Sequence, residues 1–434
     1  MLSAYNSVSS VIRYAAFRLV DSARGRPIAK HIEHIEARMG RDFSHSCADE
    51  ELDDFLAFAT RTTPFFERFA GQPLDRFPVL SKRTLKESQS KHLSTAFRIG
   101  DLVAATTSGS TGNPTTFYLT VGKKARQHAE VLYFGRWGDF WPGVEHAYVR
   151  VTKSKSPFKL WVQNETLMDP TSLSEGWLER QREVLRRGEI RVIIGYVSAI
   201  RALAEWCLTR GDRPSDFRIR SVFTSSEPLP DEARRTIKAA FGCSVMSRYS
   251  TEEFGVLAQE CPEVGTHHLN TASYRFEILS TETDRPVPHG DRGRLVVTDL
   301  YSHAMPLIRY ETGDLAAFGA ECPCGRPGPT LSNIEGRQVE QIFAADNTPV
   351  SPFSINGALR DVAGVLQFQF IQTARKHYTL LLHLHNASQF SAEELVLTRL
   401  RQILGAGTVV EIRRVDDIPP LPSGKRPYIR SELA

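Results

Sequence analysis

The sequence predicts an α/β protein with a large N-terminal domain of helix-covered sheets and a smaller C-terminal α+β domain. Short apolar segments alternate with amphipathic segments between residues 144 and 241, as expected for parallel strands covered by helices. After Ser273 the pattern changes to strands separated by polar turns, which indicates a more antiparallel region. A compact strand–strand–helix–strand pattern then follows Gly336. We therefore expect domains at 1–336 and 337–434.

Each element is predicted from the spacing of its apolar residues. The N-terminal part is expected to form helices over 1–20, 28–39 and 48–69, then an extended segment at 77–80. The central part is expected to contain helices over 123–137, 178–187, 199–210 and 231–241, with Asp231 as an N-cap. The expected strands are 144–151, 190–194, 219–224, 275–279 and 293–299. The C-terminal module is expected to contain strands 366–373, 378–385 and 408–415 and a helix over 392–404.

The composition is that of a soluble enzyme. The 434 residues are 41% hydrophobic and 24% charged, and the net charge of +4 is spread along the chain without the basic stripe of a nucleic-acid-binding protein. Six cysteines in a chain of this length do not indicate a disulfide framework. We see no run of about 18 or more apolar residues, and residues 1–20 lack a signal-peptide cleavage pattern. A cytoplasmic protein without a nucleic-acid or membrane partner is expected.

Residues 107–115 read T-S-G-S-T-G-N-P-T and form the most informative segment of the chain. Glycines permit close approach of the backbone, and hydroxyl groups and backbone N–H groups can donate to anionic oxygens. A loop of this kind between two strands is typical of a phosphate cradle, although the spacing is not that of a Walker loop. The candidate phosphate-binding residues are Thr107, Ser108, Gly109, Ser110, Thr111, Gly112 and Thr115.

Four further motifs follow this loop in order. Residues 249–255 read Y-S-T-E-E-F-G, residues 310–314 read Y-E-T-G-D, Arg337 follows Gly336, and residues 422–425 read P-S-G-K. This ordered series resembles the adenylate-forming superfamily of acyl-CoA synthetases, adenylation domains and luciferases. Within that superfamily the chain is most similar to the phenylacetate–CoA ligase branch, including its capsule-biosynthesis-type relatives. The resemblance covers roughly residues 103–433.

The resemblance implies a role for each motif in binding ATP. The loop would hold the β- and γ-phosphates, and Thr115 replaces the lysine that ends this motif in many members. Tyr249 would pack on the adenine beside Ser250 and Thr251. When the motif is aligned on Phe254 and Gly255, Glu253 takes the magnesium-binding position, with Glu252 as the alternative carboxylate. These adenine- and magnesium-binding candidates are Tyr249, Ser250, Thr251, Glu252 and Glu253.

Three further positions complete the implied nucleotide site. Asp314 matches the carboxylate that accepts hydrogen bonds from the ribose hydroxyls. Arg337 matches an arginine near the hinge, but Val339 stands where the family often has Asp, so the exact hinge residue stays open. Lys425 resembles the mobile catalytic lysine, whose charge would stabilise the transition state of adenylation.

The resemblance also concerns the acyl group. Ser226 and Glu227 lie in a segment that matches the part of the family that lines the acyl and nucleotide pocket. The small C-terminal domain is expected to be mobile and to rotate about the hinge after adenylation, so that the thiol of CoA can enter.

Cysteine and histidine residues predict a metal site. Cys261 precedes His268 by seven positions, and Cys322 and Cys324 lie in a Pro- and Gly-containing turn. Such a set can hold zinc tetrahedrally, and four protein ligands would make the ion structural. The same arrangement resembles one in capsule-type relatives. His267 is the alternative histidine ligand.

We therefore expect an ATP-dependent, AMP-forming ligase that adenylates a carboxylic acid, with an aryl or arylacetic acid favoured, and transfers the acyl group to CoA. The expected cofactors and co-substrates are ATP, Mg²⁺, CoA and a structural Zn²⁺, and the expected assembly is a monomer or homodimer. Two alternatives stay open at this point. The acyl group could pass to an amine, an alcohol or a carrier protein, or the chain could be a non-catalytic nucleotide-binding module.

Overall fold

The computed structural model describes residues 8–39, 49–106, 115–151, 155–171, 173–326, 328–335, 342–350, 352–359, 362, 365–384, 390–416, 418 and 429–433. Within these residues, no helix is both long enough and apolar enough to cross a membrane.

The described helices in the first third of the chain are α1 (Val8–Ala23), α2 (Pro27–Arg38), α3 (Glu50–Thr62), α4 (Lys82–Glu87), α5 (Gln89–His92) and α6 (Val121–Gly135). The later helices are α7 (Pro157–Gln163), α8 (Glu175–Arg187), α9 (Val197–Thr209), α10 (Asp231–Phe241), α11 (Pro352–Leu359) and α12 (Glu393–Leu404).

The first strands are β1 (Val103–Thr106), β2 (Thr116–Leu119), β3 (His146–Val149), β4 (Glu165–Met168), β5 (Val192–Tyr196) and β6 (Ser221–Ser225). The central strands are β7 (Ser244–Thr251), β8 (Gly255–Glu260), β9 (His267–Leu269), β10 (Tyr274–Leu279), β11 (Gly293–Asp299), β12 (Tyr310–Gly319) and β13 (Thr330–Glu335). The last strands are β14 (Ile342–Phe343), β15 (Pro349–Val350), β16 (Val365–Ala374), β17 (His377–Leu384), β18 (Val409–Arg414) and β19 (Ile429–Ser431).

The chain divides into two compact units. Unit 1 takes in residues 1–107, 115–143 and 246–336, and unit 2 takes in 108–114, 144–245 and 337–434. The chain therefore passes from unit 1 to unit 2 for the last time between positions 336 and 337. The division into domains 1–336 and 337–434 stays a prediction.

Unit 2 contains the predicted parallel sheet. Its strands lie in the order β4-β3-β5-β6, and each neighbouring pair is parallel. The strands are short, β5 is apolar and buried along its whole length, and all four strands contribute residues to one hydrophobic core with helices α8, α9 and α10. Gly195 lies so close to β3 that a Cβ would stand 2.1 Å from the carbonyl oxygen of Val149.

The C-terminal part of unit 2 is the predicted α+β module. Strands β16 and β17 form an antiparallel hairpin, β18 lies parallel to β17, and helix α12 packs on them around Val396, Leu400 and Leu404. Strand β19 adds to the other edge, parallel to β16.

Unit 1 contains the predicted antiparallel region. Its strands follow the order β10-β11-β12-β13-β9-β8-β7, and most of β7 belongs to this unit. Every described pairing within this series is antiparallel. Their core includes Phe254, Tyr274 and Tyr310, together with Phe55 of α3 and Phe66 after it.

One predicted local feature is wrong. Asp231 is the first residue of α10 and not its cap, because Pro230 occupies the N-cap position and makes no side-chain hydrogen bond. Asp231 lies instead in the first turn, where its carboxylate interacts favourably with the positive end of the helix dipole.

Candidate functional site

Several predicted site residues lie outside the part of the chain that the structure describes. They are Thr107, Ser108, Gly109, Ser110, Thr111, Gly112, Arg337 and Lys425. Their predicted roles in phosphate binding, hinge motion and catalysis therefore stay predictions.

The strands on either side of the predicted phosphate loop form a hairpin. β1 and β2 pair antiparallel from Val103 with Leu119 to Thr106 with Thr116. The hydroxyl groups of Thr106 and Thr116 lie 3.4 Å apart at the base of the loop, and Thr115 is buried. The segment 107–114 therefore connects two paired strands in the sequence, which is the setting that the phosphate-cradle prediction requires.

The Y-S-T-E-E-F-G motif forms a tight hairpin between β7 and β8. Tyr249 pairs with Ala258, and Thr251 pairs with Gly255, so Glu252, Glu253 and Phe254 form the turn. The hydroxyl of Thr251 accepts a hydrogen bond from the backbone N–H of Phe254 at 3.2 Å. Glu252 is exposed and Glu253 is buried.

Tyr249 contacts Asp314 directly. The Tyr249 hydroxyl donates to Oδ2 of Asp314 at 2.6 Å, although their strands, β7 and β12, are not neighbours in the sheet. Burial, reinforced by the Asp314 carboxylate, raises the pKa of Tyr249 well above its usual value, so the phenol stays a hydrogen-bond donor at neutral pH. The structure thus joins the two motifs that were predicted to hold adenine and ribose.

Asp314 lies in an irregular part of β12. The register of β12 shifts on both sides, against β11 and against β13, and Gly313 has a φ of +82°. The backbone N–H of Asp314 donates to the hydroxyl of Thr312 at 3.2 Å. Such bulges typically re-aim a side chain near a functional site.

Side chains that the sequence analysis did not single out support the turn of the β7–β8 hairpin. Gln127 of α6 donates to the carbonyl of Glu252 at 3.3 Å, and Tyr274 donates to the carbonyl of Phe254 at 2.5 Å. Glu130 accepts from the backbone N–H of Val256 at 3.1 Å. Because both Glu252 and Glu253 lie in this turn, these contacts fix the backbone that carries the predicted magnesium ligands.

Glu130 belongs to a fully buried charged network. The ammonium of Lys123 lies 2.7 Å from Asp299 and donates to the hydroxyl of Tyr274 at 3.2 Å, while Arg126 lies 3.8 Å from Glu130. Burial raises the pKa of Glu130, and the positive charges of Lys123 and Arg126 oppose that shift. The sequence gives one signal for this network: Lys123, Arg126 and Glu130 are spaced so that they lie on one face of α6.

Ser226 and Glu227 follow strand β6 in unit 2. Ser226 has a φ of +70° and is exposed. Both carboxylate oxygens of Glu227 bind Ser198 in the first turn of α9, one at the backbone N–H (2.7 Å) and one at the hydroxyl (2.9 Å). Glu227 therefore holds the start of α9, and the role of both residues in the acyl and nucleotide pocket stays a prediction.

The four predicted metal ligands come together in unit 1. The sulfur atoms of Cys261, Cys322 and Cys324 and one ring nitrogen of His268 all lie within 4.8 Å of one another. Cys261 directly follows β8, His268 lies on β9, and the two other cysteines lie in the turn between β12 and β13. The ligand set includes His268 and not His267, since successive side chains of a strand point to opposite faces.

The surroundings of this cluster fit a thiolate-rich metal site. The backbone N–H of Arg326 donates to Sγ of Cys324 (3.4 Å), and its guanidinium donates to Sγ of Cys261 (3.7 Å). Trp137 packs edge-to-face on His268, and the guanidinium stacks over the same indole. In an ideal tetrahedral zinc site, sulfur atoms stand about 3.8 Å apart because each Zn–S bond is about 2.3 Å. The donor atoms and their spacing therefore suit zinc.

Comparisons with known proteins agree with this organisation. Residues 342–432 match the CapK C-terminal domain family. The chain is 24% identical to protein CapK of Staphylococcus aureus, over 82% of this chain and 79% of that protein. It is 26% identical to a phenylacetate–coenzyme A ligase of Thermus thermophilus, over 77% of this chain and 79% of the relative.

The fold is also found in a solved ligase. The structure of a 2-hydroxyisobutyryl-CoA ligase in complex with 2-HIB-AMP and CoA, in its thioesterification state, aligns with a TM-score of 0.60 at 21% identity. The alignment covers 88% of this chain and 89% of the ligase. The chain therefore has the fold of an adenylate-forming ligase. The predicted resemblance to the phenylacetate–CoA ligase branch and to its capsule-type relatives is confirmed.

Proposed function

We propose that the protein is an AMP-forming carboxylate–CoA ligase that adenylates an aryl or arylacetic acid with ATP and then transfers the acyl group to CoA. The observation that carries the proposal is the hydrogen bond between Tyr249 and Asp314. It joins an aromatic ring suited to adenine and a carboxylate suited to a ribose diol in one site. The match to phenylacetate–CoA ligases supports the reaction class.

Each motif would supply one requirement of adenylation. The loop over residues 107–115 would bind the β- and γ-phosphates through backbone N–H and hydroxyl groups. Asp314 would accept hydrogen bonds from the ribose hydroxyls. Arg337, near the hinge, would contact the ribose or a phosphate of the nucleotide. The carboxylate of the substrate attacks the α-phosphate and releases pyrophosphate, and Lys425 would stabilise the negative charge that develops there.

The second half-reaction would use the smaller C-terminal domain. We propose that residues 337–434 rotate relative to 1–336 after adenylation, so that the thiol of CoA attacks the acyl carbon and AMP leaves. Ser226 and Glu227 would lie near the acyl and nucleotide pocket. The hydrogen bonds of Glu227 to Ser198 would keep that segment in a fixed position.

Two metal ions belong to this proposal. Mg²⁺ prefers carboxylate and phosphate oxygens, and Glu253 would bind it together with the phosphates of ATP, with Glu252 as the alternative. Zn²⁺ would bind Cys261, His268, Cys322 and Cys324 with no open position, which supports a structural role. The three thiolates would leave a net negative charge with Zn²⁺, and the guanidinium of Arg326 is suited to balance it.

A second candidate differs only in the acyl acceptor. The acceptor would then be an amine, an alcohol or a carrier protein instead of CoA, and the similarity to protein CapK and to its C-terminal domain family is compatible with this candidate. The adenylation step and its residues would be the same in both cases.

A panel of carboxylic acids distinguishes these candidates. Purified protein is incubated with ATP, Mg²⁺ and each acid, and pyrophosphate and AMP are measured with and without CoA. Acid-dependent AMP formation that CoA accelerates, together with an acyl-CoA product, supports the ligase. AMP formation that CoA leaves unchanged supports a different acceptor, and ATP binding without pyrophosphate release supports a non-catalytic nucleotide-binding module.

A further inference from the structure

Helix α1 exposes its apolar side to solvent. Val11, Ile12, Leu19 and Val20 are 44%, 58%, 71% and 50% exposed. Small residues on the same side are exposed as well, namely Ala15 and Ala16 between these four residues and Ala23 after them. At about 100° per residue, these positions form a continuous stripe along the helix. We call these seven residues the α1 stripe.

The side of α1 opposite the stripe packs on the rest of unit 1, and it carries the half-buried rings of Tyr14 and Phe17 as well as two buried polar residues. Ser10 and Asp21 are buried, and both carboxylate oxygens of Asp21 accept hydrogen bonds at 3.0 Å from the backbone N–H groups of Ile28 and Ala29. Gly143 lies so close to the helix that a Cβ would stand 2.5 Å from the carbonyl oxygen of Ser10. A surface helix normally turns its apolar side inward. An anchored helix that also exposes a continuous aliphatic stripe on its outward side indicates an interface.

The sequence of α1 is nearly the same in both directions. Residues 11–20 read V-I-R-Y-A-A-F-R-L-V, which is a palindrome apart from Ile for Leu and Tyr for Phe. Its centre lies between Ala15 and Ala16. A two-fold axis through this point would place Ile12 beside Leu19 of a second copy, with Val11 and Val20 of that copy at the same level on the two flanks of the contact. Such reciprocal pairing is the defining property of a two-fold interface.

We propose that the α1 stripe binds the α1 stripe of a second copy of this chain, with the two helices antiparallel. The alanines at the centre would let the two helix backbones approach closely, and the larger residues on either side would pack around them. This assembly is independent of the proposed reaction.

The charges of α1 are compatible with this pairing. On a helical projection, Arg13 and Arg18 lie about 110° to either side of the centre of the stripe. Arg13 donates to the hydroxyl of Ser9, and Arg18 donates to the hydroxyl of Tyr14 at 3.4 Å, so both guanidinium groups are held along the flanks of the helix. A lipid surface would also accept an apolar helix with flanking arginines. It would not require a palindromic order, and so the second copy is the favoured occupant.

The expected dimer is weak. The helix has 16 residues and is therefore about 24 Å long. Its stripe covers less than the roughly 800 Å² per partner of a typical stable interface. We expect a dissociation constant of the dimer in the micromolar range. Association must therefore be measured over a range of protein concentrations.

The test uses sedimentation velocity on the full-length protein up to on the order of 100 μM. Leu19→Glu is expected to weaken association about 100-fold or more, because a buried charge without a partner is costly. The matched control is Leu395→Glu, which changes an exposed leucine of α12 (48% exposed) and should leave association unchanged. Thermal unfolding of each variant checks that the fold is intact.

A double variant tests the geometry. Ile12→Glu combined with Leu19→Lys places the new carboxylate of one copy beside the new ammonium of the other in the antiparallel pairing, and it should restore association that each single substitution weakens. A protein that stays monomeric at the highest concentration overturns the proposal, and so does a dimer that Leu19→Glu leaves intact. Monomeric protein that sediments with vesicles of phosphatidylglycerol, but not with vesicles of phosphatidylcholine, would assign the stripe to a lipid surface instead.

Discussion

The hydroxyl of Tyr249 and the carboxylate of Asp314 form a 2.6 Å hydrogen bond between residues that stand 65 positions apart in sequence. Their strands are not neighbours in the sheet, so this hydrogen bond links two strands that share no ladder hydrogen bonds. A carboxylate can accept several hydrogen bonds, as binding of the ribose hydroxyls would require. The bond also fixes the ring of Tyr249 beside the Asp314 carboxylate.

This relationship predicts coupled effects on ATP binding. Asp314→Asn should raise the KM for ATP by about 10- to 100-fold, because a carboxylate accepts stronger hydrogen bonds than an amide. Tyr249→Phe should raise it less, by about fivefold. When the changes in KM are expressed as free energies, the double variant should lose about 1 kcal/mol less than the sum of the two single variants. Strict additivity in steady-state kinetics would contradict the shared site. Tyr378→Phe, which removes a hydroxyl that donates to Phe343, is the control for general loss of stability.

The two glutamates of the hairpin turn should differ in their effect on magnesium. Glu253 is buried beneath the turn and Glu252 is exposed. We predict that Glu253→Gln raises the Mg²⁺ concentration needed for half-maximal activity by about tenfold or more, since a carboxylate is the preferred ligand. Glu252→Gln is the matched control and should change it by less than about twofold. A magnesium titration that shows the reverse order would assign the ligand to Glu252.

Gly255 should tolerate no side chain. Its φ is +108°, and a Cβ would stand 2.5 Å from Oε2 of Glu130, a buried side chain that cannot move aside freely. We predict that Gly255→Ala lowers the free energy of unfolding by about 3 kcal/mol and weakens nucleotide binding as well. Gly290→Ala is the control, because Gly290 has a similar φ of +90° but no atom within 4 Å of its Cβ position. It should cost only about 1 kcal/mol. Equal losses in chemical denaturation would show that the contact with Glu130 is unimportant.

Removal of the metal should destabilise the protein. We predict about one zinc per chain in purified protein, and far less in Cys324→Ser, together with a lower melting temperature, because metal binding is coupled to folding. Cys243→Ala, which removes a buried thiol of unit 2, should keep its zinc. Elemental analysis and thermal unfolding give both readouts. A stable, active wild-type protein with well under one zinc per chain after chelation would refute the site.

The elements that could be predicted from the sequence are those in which the spacing of apolar residues matches the faces that are buried in the structure. The alternation over residues 144–241 became β3, β5, β6 and their helices because a parallel sheet buries both faces of each strand. The C-terminal hairpin was equally clear, since β16 alternates polar and apolar residues over 367–370 and β17 is mostly apolar. The Cys and His positions could be grouped because their side chains carry distinctive chemistry.

Other features depend on contacts that spacing does not encode. The β7–β8 hairpin was missed because its strands carry polar residues such as Arg248, Gln259 and Glu260, which are buried through hydrogen bonds. The side chains that support its turn are distant in sequence. Gln127 and Glu130 precede their partners in the hairpin by more than a hundred positions, and Tyr274 follows Phe254 by 20 positions. Such partners become visible only when the chain is folded.

Acid-dependent adenylation is reversible, and it is therefore measured by the exchange of radioactive pyrophosphate into ATP. We predict exchange that requires a carboxylic acid and Mg²⁺ but not CoA. In Lys425→Ala the exchange should fall by at least about 100-fold, because one cation at the α-phosphate contributes a few kcal/mol to the transition state, while thermal unfolding stays unchanged. Near-normal exchange in Lys425→Ala would contradict the role of that lysine. Absence of exchange in the wild-type protein with every acid tested, while ATP still binds, would contradict the account as a whole.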